Sequence, residues 1–428
     1  MSDVREATGL RRTFLALSVR NFRLYFFGQL VSVSGTWLQS LAIGLLILKL
    51  TGHHAQHAGS YFSVGVGSSL PFVPMLVAGS WAGLVIDRSR KRVILYVTQS
   101  AALVLALTLG LLTVTHHVTI WSVYVIAFGF GLVNLFDNPA RQTFVSEMVG
   151  PELLPNAVSL NTVLINMARI VGPSVAVVLT QTIGLGGCFL VNAGSYVAVL
   201  FALWAMDGSE LHPSKRVVAA KGQVRDGLRY AWQRPRLRGP LVAMFVVGLL
   251  AFNFTVTVLA LAKGTFHGGA PLVAAFMVAQ GIGAVLGGIH AAYHGKPSQR
   301  RLAMLGLGFG VAMVTMGLMP TEVLAGIAIF VVGYGSINYV ATANGTLQLH
   351  SEPQMRGRVM ALYSIAFLGT APLGMPLIGL LIDATGPRVA ILTGAIATII
   401  SSAFLLRHDD RVTALESATP PPETVEDR

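Results

Sequence analysis

The chain has 428 residues, 54% of them hydrophobic and only 11% charged, whereas a soluble domain carries roughly 25% charged residues. With a mean hydropathy of +0.67, this composition excludes an ordinary soluble domain and assigns the chain to a bilayer. The net charge of +12 would suit nucleic acid, but the basic residues fall between apolar runs, and no basic helix carries base-reading or stacking residues, so no nucleic-acid partner is expected.

Residues 1–21 contain arginines but no apolar core ending in a small-residue cleavage site, which predicts a cytoplasmic tail and not a signal peptide. Apolar segments then follow at 22–48, 58–86, 92–115, 118–141, 154–182, 188–206, 238–262, 271–294, 301–319, 322–345, 357–382 and 388–406. Each is of the order needed to cross a ~30 Å hydrocarbon core at ~1.5 Å per residue, and only helices suit such runs. The fold class predicted is therefore an all-α membrane protein of about twelve transmembrane helices, in two pseudo-symmetric six-helix bundles at 22–206 and 238–406.

The gaps between spans alternate in charge. One side holds Arg88, Arg90, Lys91, Arg92, Arg141, the stretch 207–238, Lys296, Arg300, Arg301, Arg356 and Arg358, and the other only Lys49, Lys263 and Arg388. Such an asymmetry places both termini, including the tail at 407–428, in the cytoplasm of a cell membrane. The linker at 207–237 contains "GQVRDGLRYAWQRPRL", with Val224, Leu228 and Trp232 at i, i+4 and i+8 and Pro235 ending the helix. It reads either as an amphipathic helix at the lipid surface or as a solvated linker helix packed on the bundle.

The halves also resemble one another. "GFGLVN" at 129–134 recurs as "GYGSIN" at 333–338, and "GPSVAVVLTQTIGLGG" at 172–187 aligns with "APLGMPLIGLLIDATG" at 371–386, both at an offset of about 200. Duplicated units of this kind place a substrate site between the halves near the bilayer midplane. Cys188 is the single cysteine, so no intrachain disulfide forms.

"NFRLYFFGQLVSVSGTW", "AGLVIDRSRKRVIL" at 82–95, "DNPARQ", "ARIVGP", "LRYAWQRP" and "RGRVMALYSIAFLGTAPLG" together resemble the major facilitator superfamily, in its enterobactin-exporter-like and multidrug-efflux branch. The likeness runs from about Asn21 to Leu406. It implies that Gly83, Asp87, Arg88, Lys91 and Arg92 match the loop motif Gly-x-x-x-Asp-Arg-x-x-basic-basic between spans 2 and 3, a conformational latch bracing the cytoplasmic face. Positive-inside anchoring would explain the cations but not the acid. Gly172 and Pro173 resemble the core of the antiporter motif of span 5, although Ala176 and Val177 stand where exporters often carry a glycine pair, and helix packing is the alternative.

The resemblance further implies that spans 1, 4, 7 and 10 line a central cavity. Gln29, Gln39, Asn134, Asp137, Asn253, Asn338 and Asn344 are thus candidates for substrate binding or coupling, with interhelical hydrogen bonding the alternative for each. Trp37, Met244, Phe252 and Phe254 nearby in sequence suit an amphipathic ligand. Arg169 falls in mid-span 5, where a lone cation is costly. An ion pair with Asp137 is the expectation, a cavity-facing role attracting anions the alternative. His290 and His294 share a helix face but lack a third ligand, so no metal is expected.

Function follows as a secondary active transporter, an efflux pump for hydrophobic or amphipathic small molecules such as drugs or siderophores. Proton antiport is implied by the resemblance alone; no cofactor is expected, and the partners are membrane lipid and a small-molecule substrate, with the chain a monomer. An importer of a small metabolite, or a non-transporting sensor or scaffold on the same fold, are the alternatives. An intramembrane enzyme is disfavoured because the chain has no Gly-x-Ser-x-Gly, no His-Glu-x-x-His and no nucleotide loop.

Overall fold

A computed structural model describes residues 14–52, 60–212, 223–294 and 297–418; the side chains of residues 80, 81, 83, 84, 87, 223–226, 294 and 411–418 lie outside the described set. Within it, 11 helices are long and apolar enough to cross a membrane. One of them, Ile120–Thr182, has 63 residues, ~95 Å at ~1.5 Å per residue, far more than one crossing needs. It reverses at Gly150, whose φ of 71° and ψ of 175° belong to a backbone region essentially reserved for glycine. Pro151 follows, and at a first helical position its missing N–H costs nothing. The segment therefore makes two crossings, 120–149 and 151–182, and the total is the expected twelve.

In chain order span 1 is Arg20–Thr51, span 2 runs through Ser60–Ser69 and Val73–Arg88, span 3 is Lys91–Val114, and spans 4 and 5 are the two arms just described. Span 6 is Gly184–Ala205, and the linker helix Gln223–Gln233 leads to span 7, Pro235–Thr265. Spans 8 to 12 are Ala270–His294, Gln299–Leu318, Glu322–Leu349, Arg356–Thr385 and Pro387–Ala418.

The repeat seen in sequence reappears as a repeat of contacts. Gly131 in span 4 lets its backbone meet Pro71 of span 2, and Gly333 in span 10 does the same with Gln280 of span 8; an added Cβ would lie 2.8 Å and 2.2 Å from those carbonyl oxygens. Gly172 in span 5 packs on Ser34 and Trp37 of span 1, as Gly374 in span 11 packs on Leu249 and Asn253 of span 7. Small residues are what allow such backbone approach between membrane helices.

The halves meet through two helix pairs, span 2 with span 11 and span 5 with span 8. At the end remote from the termini the first pair is closed backbone to backbone: Cβ atoms added at Gly65 and Gly379 would lie 2.3 Å from the Met375 oxygen and 2.2 Å from the Tyr61 oxygen. The Asp383 carboxylate ties the same place, accepting the N–H of Tyr61 at 3.0 Å and of Phe62 at 2.8 Å. At the terminus-bearing end, Asn134, Asn138, Ser159, Thr162 and Gln348 are exposed on spans 4, 5 and 10. Amide groups facing hydrocarbon are costly, so these polar faces are directed into a cleft between the halves and not at lipid. The molecule is sealed on the far side and open on the basic side.

The linker helix packs on the second half through its small residues. Gly227 and Ala231 are buried, Gly227 against Arg358 of span 11, while Leu228 and Trp232 are 50% and 57% exposed; Val224's side chain lies outside the described residues. Arg234 forms an ion pair with Glu352 at 2.5 Å, whose N–H donates to Tyr230 Oη at 3.1 Å, so the helix is fastened to the second half. Glu352 holds the Arg234 guanidinium pKa above its ordinary value.

Candidate functional site

Three spans are interrupted at mid-depth, and each interruption carries a phenylalanine. Span 2 narrows to a 3-10 turn at Leu70–Phe72, with Pro71 and Pro74 removing backbone donors. Span 7 breaks at Ala251–Phe252–Asn253, where the Asn253 carbonyl restarts the helix by accepting Val256 and Thr257 N–H, both at 3.0 Å. Span 11 pauses between Phe367 and Ala371. Phe72, Phe252 and Phe367 all line one cavity of about 320 Å³ between the halves, and Phe252 meets Phe367 edge-on with centroids 4.9 Å apart. Trp37 and Ser40 of span 1, Phe254 of span 7, Gln280 of span 8 and Ser336 of span 10 complete its character: mostly apolar, aliphatic and aromatic, with a few convergent polar groups.

Arg169 also lines this cavity, its guanidinium carbon 5.0 Å from the Trp37 ring centroid. The Gly172 contact on span 1, one turn later, brings the two helices close enough for that stacking. The expected pair with Asp137 is not formed. Asp137, 1% exposed, instead forms an ion pair with Arg141 one turn along the same helix and accepts Thr98 Oγ1 and Gln99 Nε2, each at 2.7 Å. The physical reason is depth: Arg141 stands one turn from the acid on its own helix, whereas Arg169 lies higher, at the cavity. Arg141, read from sequence only as a topology signal, reaches Gln29 Oε1 with its other arm. Spans 1, 3 and 4 are thereby joined by one buried polar network.

Of the remaining candidates, none lines the cavity. Gln39 accepts from Asn192 of span 6 at 2.6 Å and Asn253 donates to Leu249 O at 2.8 Å. Asn338 donates to Tyr334 O at 3.1 Å, and Asn344 accepts from Gln348 beside the cleft. Asn134 is exposed in the cleft, Met244 is buried away from the cavity, and His290 packs on Tyr334 with centroids 5.7 Å apart. Gly172 and Pro173 are buried packing positions. Missed from sequence were Phe72, Phe367, Gln280 and Ser336; the prolines around Phe72 and Gly369 after Phe367 were the signals that mark breaks.

In the loop motif, Lys91 sits 3.8 Å from Glu147 of span 4. Arg92 donates to the carbonyls of Leu203, through Nε at 3.1 Å and Nη2 at 2.6 Å, and of Met206 at 3.1 Å, closing the C-terminus of span 6. Arg88 is exposed at the end of span 2. The side chains of Gly83 and Asp87 lie outside the described residues.

A sequence profile of transmembrane secretion effectors matches residues 12–425. The chain is similar to the multidrug efflux pump Tap of Mycolicibacterium fortuitum, at 26% identity over 86% of this chain and 91% of that one. It is 26% identical to the staphyloferrin A transporter of Staphylococcus aureus over 42% of this chain and 44% of that one. In fold it resembles the crystal structure of a bacterial homolog of the human lysosomal transporter Spinster in an inward-facing, unoccupied conformation. The TM-score is 0.67 at 13% identity, over 97% of this chain and 100% of that one.

Proposed function

We propose that this chain, which belongs to the transmembrane secretion effector family of the major facilitator superfamily, is a secondary active exporter of amphipathic small molecules working by alternating access. The observation that carries the proposal is the one-sided closure: a cavity between the halves is sealed by Asp383 and two glycine contacts on one side and faces a polar cleft on the other. A rocking of one half on the other, breaking the span 2 to span 11 contact and closing the cleft, would present the same cavity to the opposite face. The relatives named for drug efflux and siderophore transport support the direction and the substrate size.

In this reading the basic side is the cytoplasm, both termini lie there, and the chain acts as a monomer in the cell membrane, its exposed Leu228 and Trp232 resting at the lipid surface. Proton antiport drives the cycle through Asp137. Protonation of that carboxylate would free Arg141 and loosen the hydrogen bonds joining spans 1, 3 and 4. The latch at Gly83, Asp87, Arg88, Lys91 and Arg92 would brace the cytoplasmic face once the cleft closes.

Proteoliposomes holding the full chain under an imposed pH gradient, loaded with a panel of dyes, antibiotics and siderophores, test this reading. Gradient-driven efflux of at least one class, abolished by Asp137→Asn, is expected; no gradient-dependent flux of any would count against it.

A further inference from the structure

The charge of the cavity is one-sided. Arg169 is the charged side chain among its described lining residues. Its Nε is buried without a hydrogen-bond partner, and no carboxylate among the described residues lies within ion-pair distance of it. The guanidinium carbon lies over the Trp37 ring, a contact with the π face that supplies no hydrogen-bond acceptor for the in-plane N–H donors. A planar carboxylate is the group that such a fork holds by two parallel hydrogen bonds.

Two further features agree. On span 5, Ser159, Thr162, Asn166 and Arg169 fall at i, i+3, i+7 and i+10, a single polar face running from the basic end to the cavity. Beyond the seal, a vestibule of about 740 Å³ is lined by Lys49 of the first half and by Lys263 and His267 of the second. The carboxylate at its rim, Asp383, is already engaged by the Tyr61 and Phe62 N–H groups. Among the described residues lining the cavity and the vestibule, the charged side chains are the cations Arg169, Lys49 and Lys263.

We propose that the cavity selects an organic anion: an aromatic or apolar body held among Phe72, Phe252 and Phe367, with its carboxylate taken by Arg169, and released past Lys49 and Lys263. A cationic amphiphile finds no acid among the described lining residues and meets Arg169 as a like charge. Binding in this form stands on the cavity alone; only the release step rests on the export reading.

Isothermal titration of the full chain in zwitterionic nanodiscs with 2-naphthylacetate, the neutral 2-naphthylacetamide and 2-naphthylethylamine tests it. In the unmodified protein the acetate binds about tenfold or more tighter than the amide, as a charge-assisted bidentate pair requires, and the amine binds weakest. Arg169→Gln brings the acetate down to the amide's affinity and leaves the amide itself within about twofold, while Arg169→Lys keeps part of the preference. Equal affinity for amine and acetate in the unmodified protein, or an equal loss for all three ligands in Arg169→Gln, would overturn the inference. The ranking in the unmodified protein decides even if the variant fails to fold. Because no gradient is applied, tight acetate binding without flux in proteoliposomes upholds the selectivity and counts only against export.

Discussion

The carboxylate of Asp383 in span 11 accepts the backbone N–H of Phe62 in span 2 at 2.8 Å, while its other oxygen accepts that of Tyr61 at 3.0 Å. An acid of one half thus satisfies the free donors at the start of a helix of the other, where both the orphan N–H groups and the helix dipole favour a negative charge. This is a polar clasp set beside a contact otherwise made by bare backbone.

Asp383→Asn keeps one acceptor, turns the other oxygen into an NH2 that faces an N–H donor and loses the charge, a change worth about 1.5–3 kcal/mol, or at least about tenfold in the closed-to-open ratio. A cysteine placed at Ser40 in the cavity should then react several-fold faster with an impermeant thiol reagent applied from the far side. Unchanged labelling would assign the closure to the glycine contacts alone.

Gly65→Val and Gly379→Val put carbon where the structure leaves about 2 Å to a carbonyl oxygen. Span 2 and span 11 are then wedged apart, so the same Ser40 probe should become strongly reactive and transport should fall at least about tenfold, with the protein still monodisperse. Adding Asp383→Asn to either variant should change the labelling no further.

Thermal unfolding of a double-mutant cycle on Asp137 and Arg141 should give a coupling of about 1–3 kcal/mol, because removing either partner alone leaves the other charged and buried. The parallel cycle on Asp137 and Arg169 should be additive to within about 0.5 kcal/mol. Strong coupling in the second cycle would restore the pairing that the sequence favoured.

Asn21 clamps the start of span 1 to the end of span 6 with both arms of its amide, donating to Asp207 O at 2.9 Å and accepting from Asp207 N at 3.0 Å while fully buried. Asn21→Ala should lower stability by about 1–3 kcal/mol, read as a fall in melting temperature. A fall below about 0.5 kcal/mol would mean that water replaces both bonds.

Apolar runs and the alternation of charge made the twelve spans legible, since both follow from the bilayer's thickness and need no tertiary knowledge. The repeated glycines were legible too, and Gly172 makes a close backbone approach to span 1. The cavity was not. Gln29, Gln39, Asn253 and Asn338 look like pathway residues in any span, but each finds a partner within or between helices, as an amide in hydrocarbon must. Of the phenylalanines that line it, Phe72 and Phe367 were indistinguishable by composition from those facing lipid. Only the helix breaks single them out, and breaks at Phe252 or Phe367 depend on tertiary packing. Arg169 was located in depth, but its partner was misjudged because Arg141, at i+4 from Asp137, had been assigned to the membrane surface.

Gly150 reverses the chain between spans 4 and 5 without an intervening loop, and Ile183 alone separates spans 5 and 6. The helical arms around Gly150 still carry the polar stretch from Arg141 to Asn156, so it is spans 5 and 6 that lack a hydrophilic tether and partition into lipid as a hairpin during synthesis. A residue with a side chain at Gly150 would then be felt first as a failure of biogenesis, in protein that never reaches the membrane, before any effect on turnover could be measured.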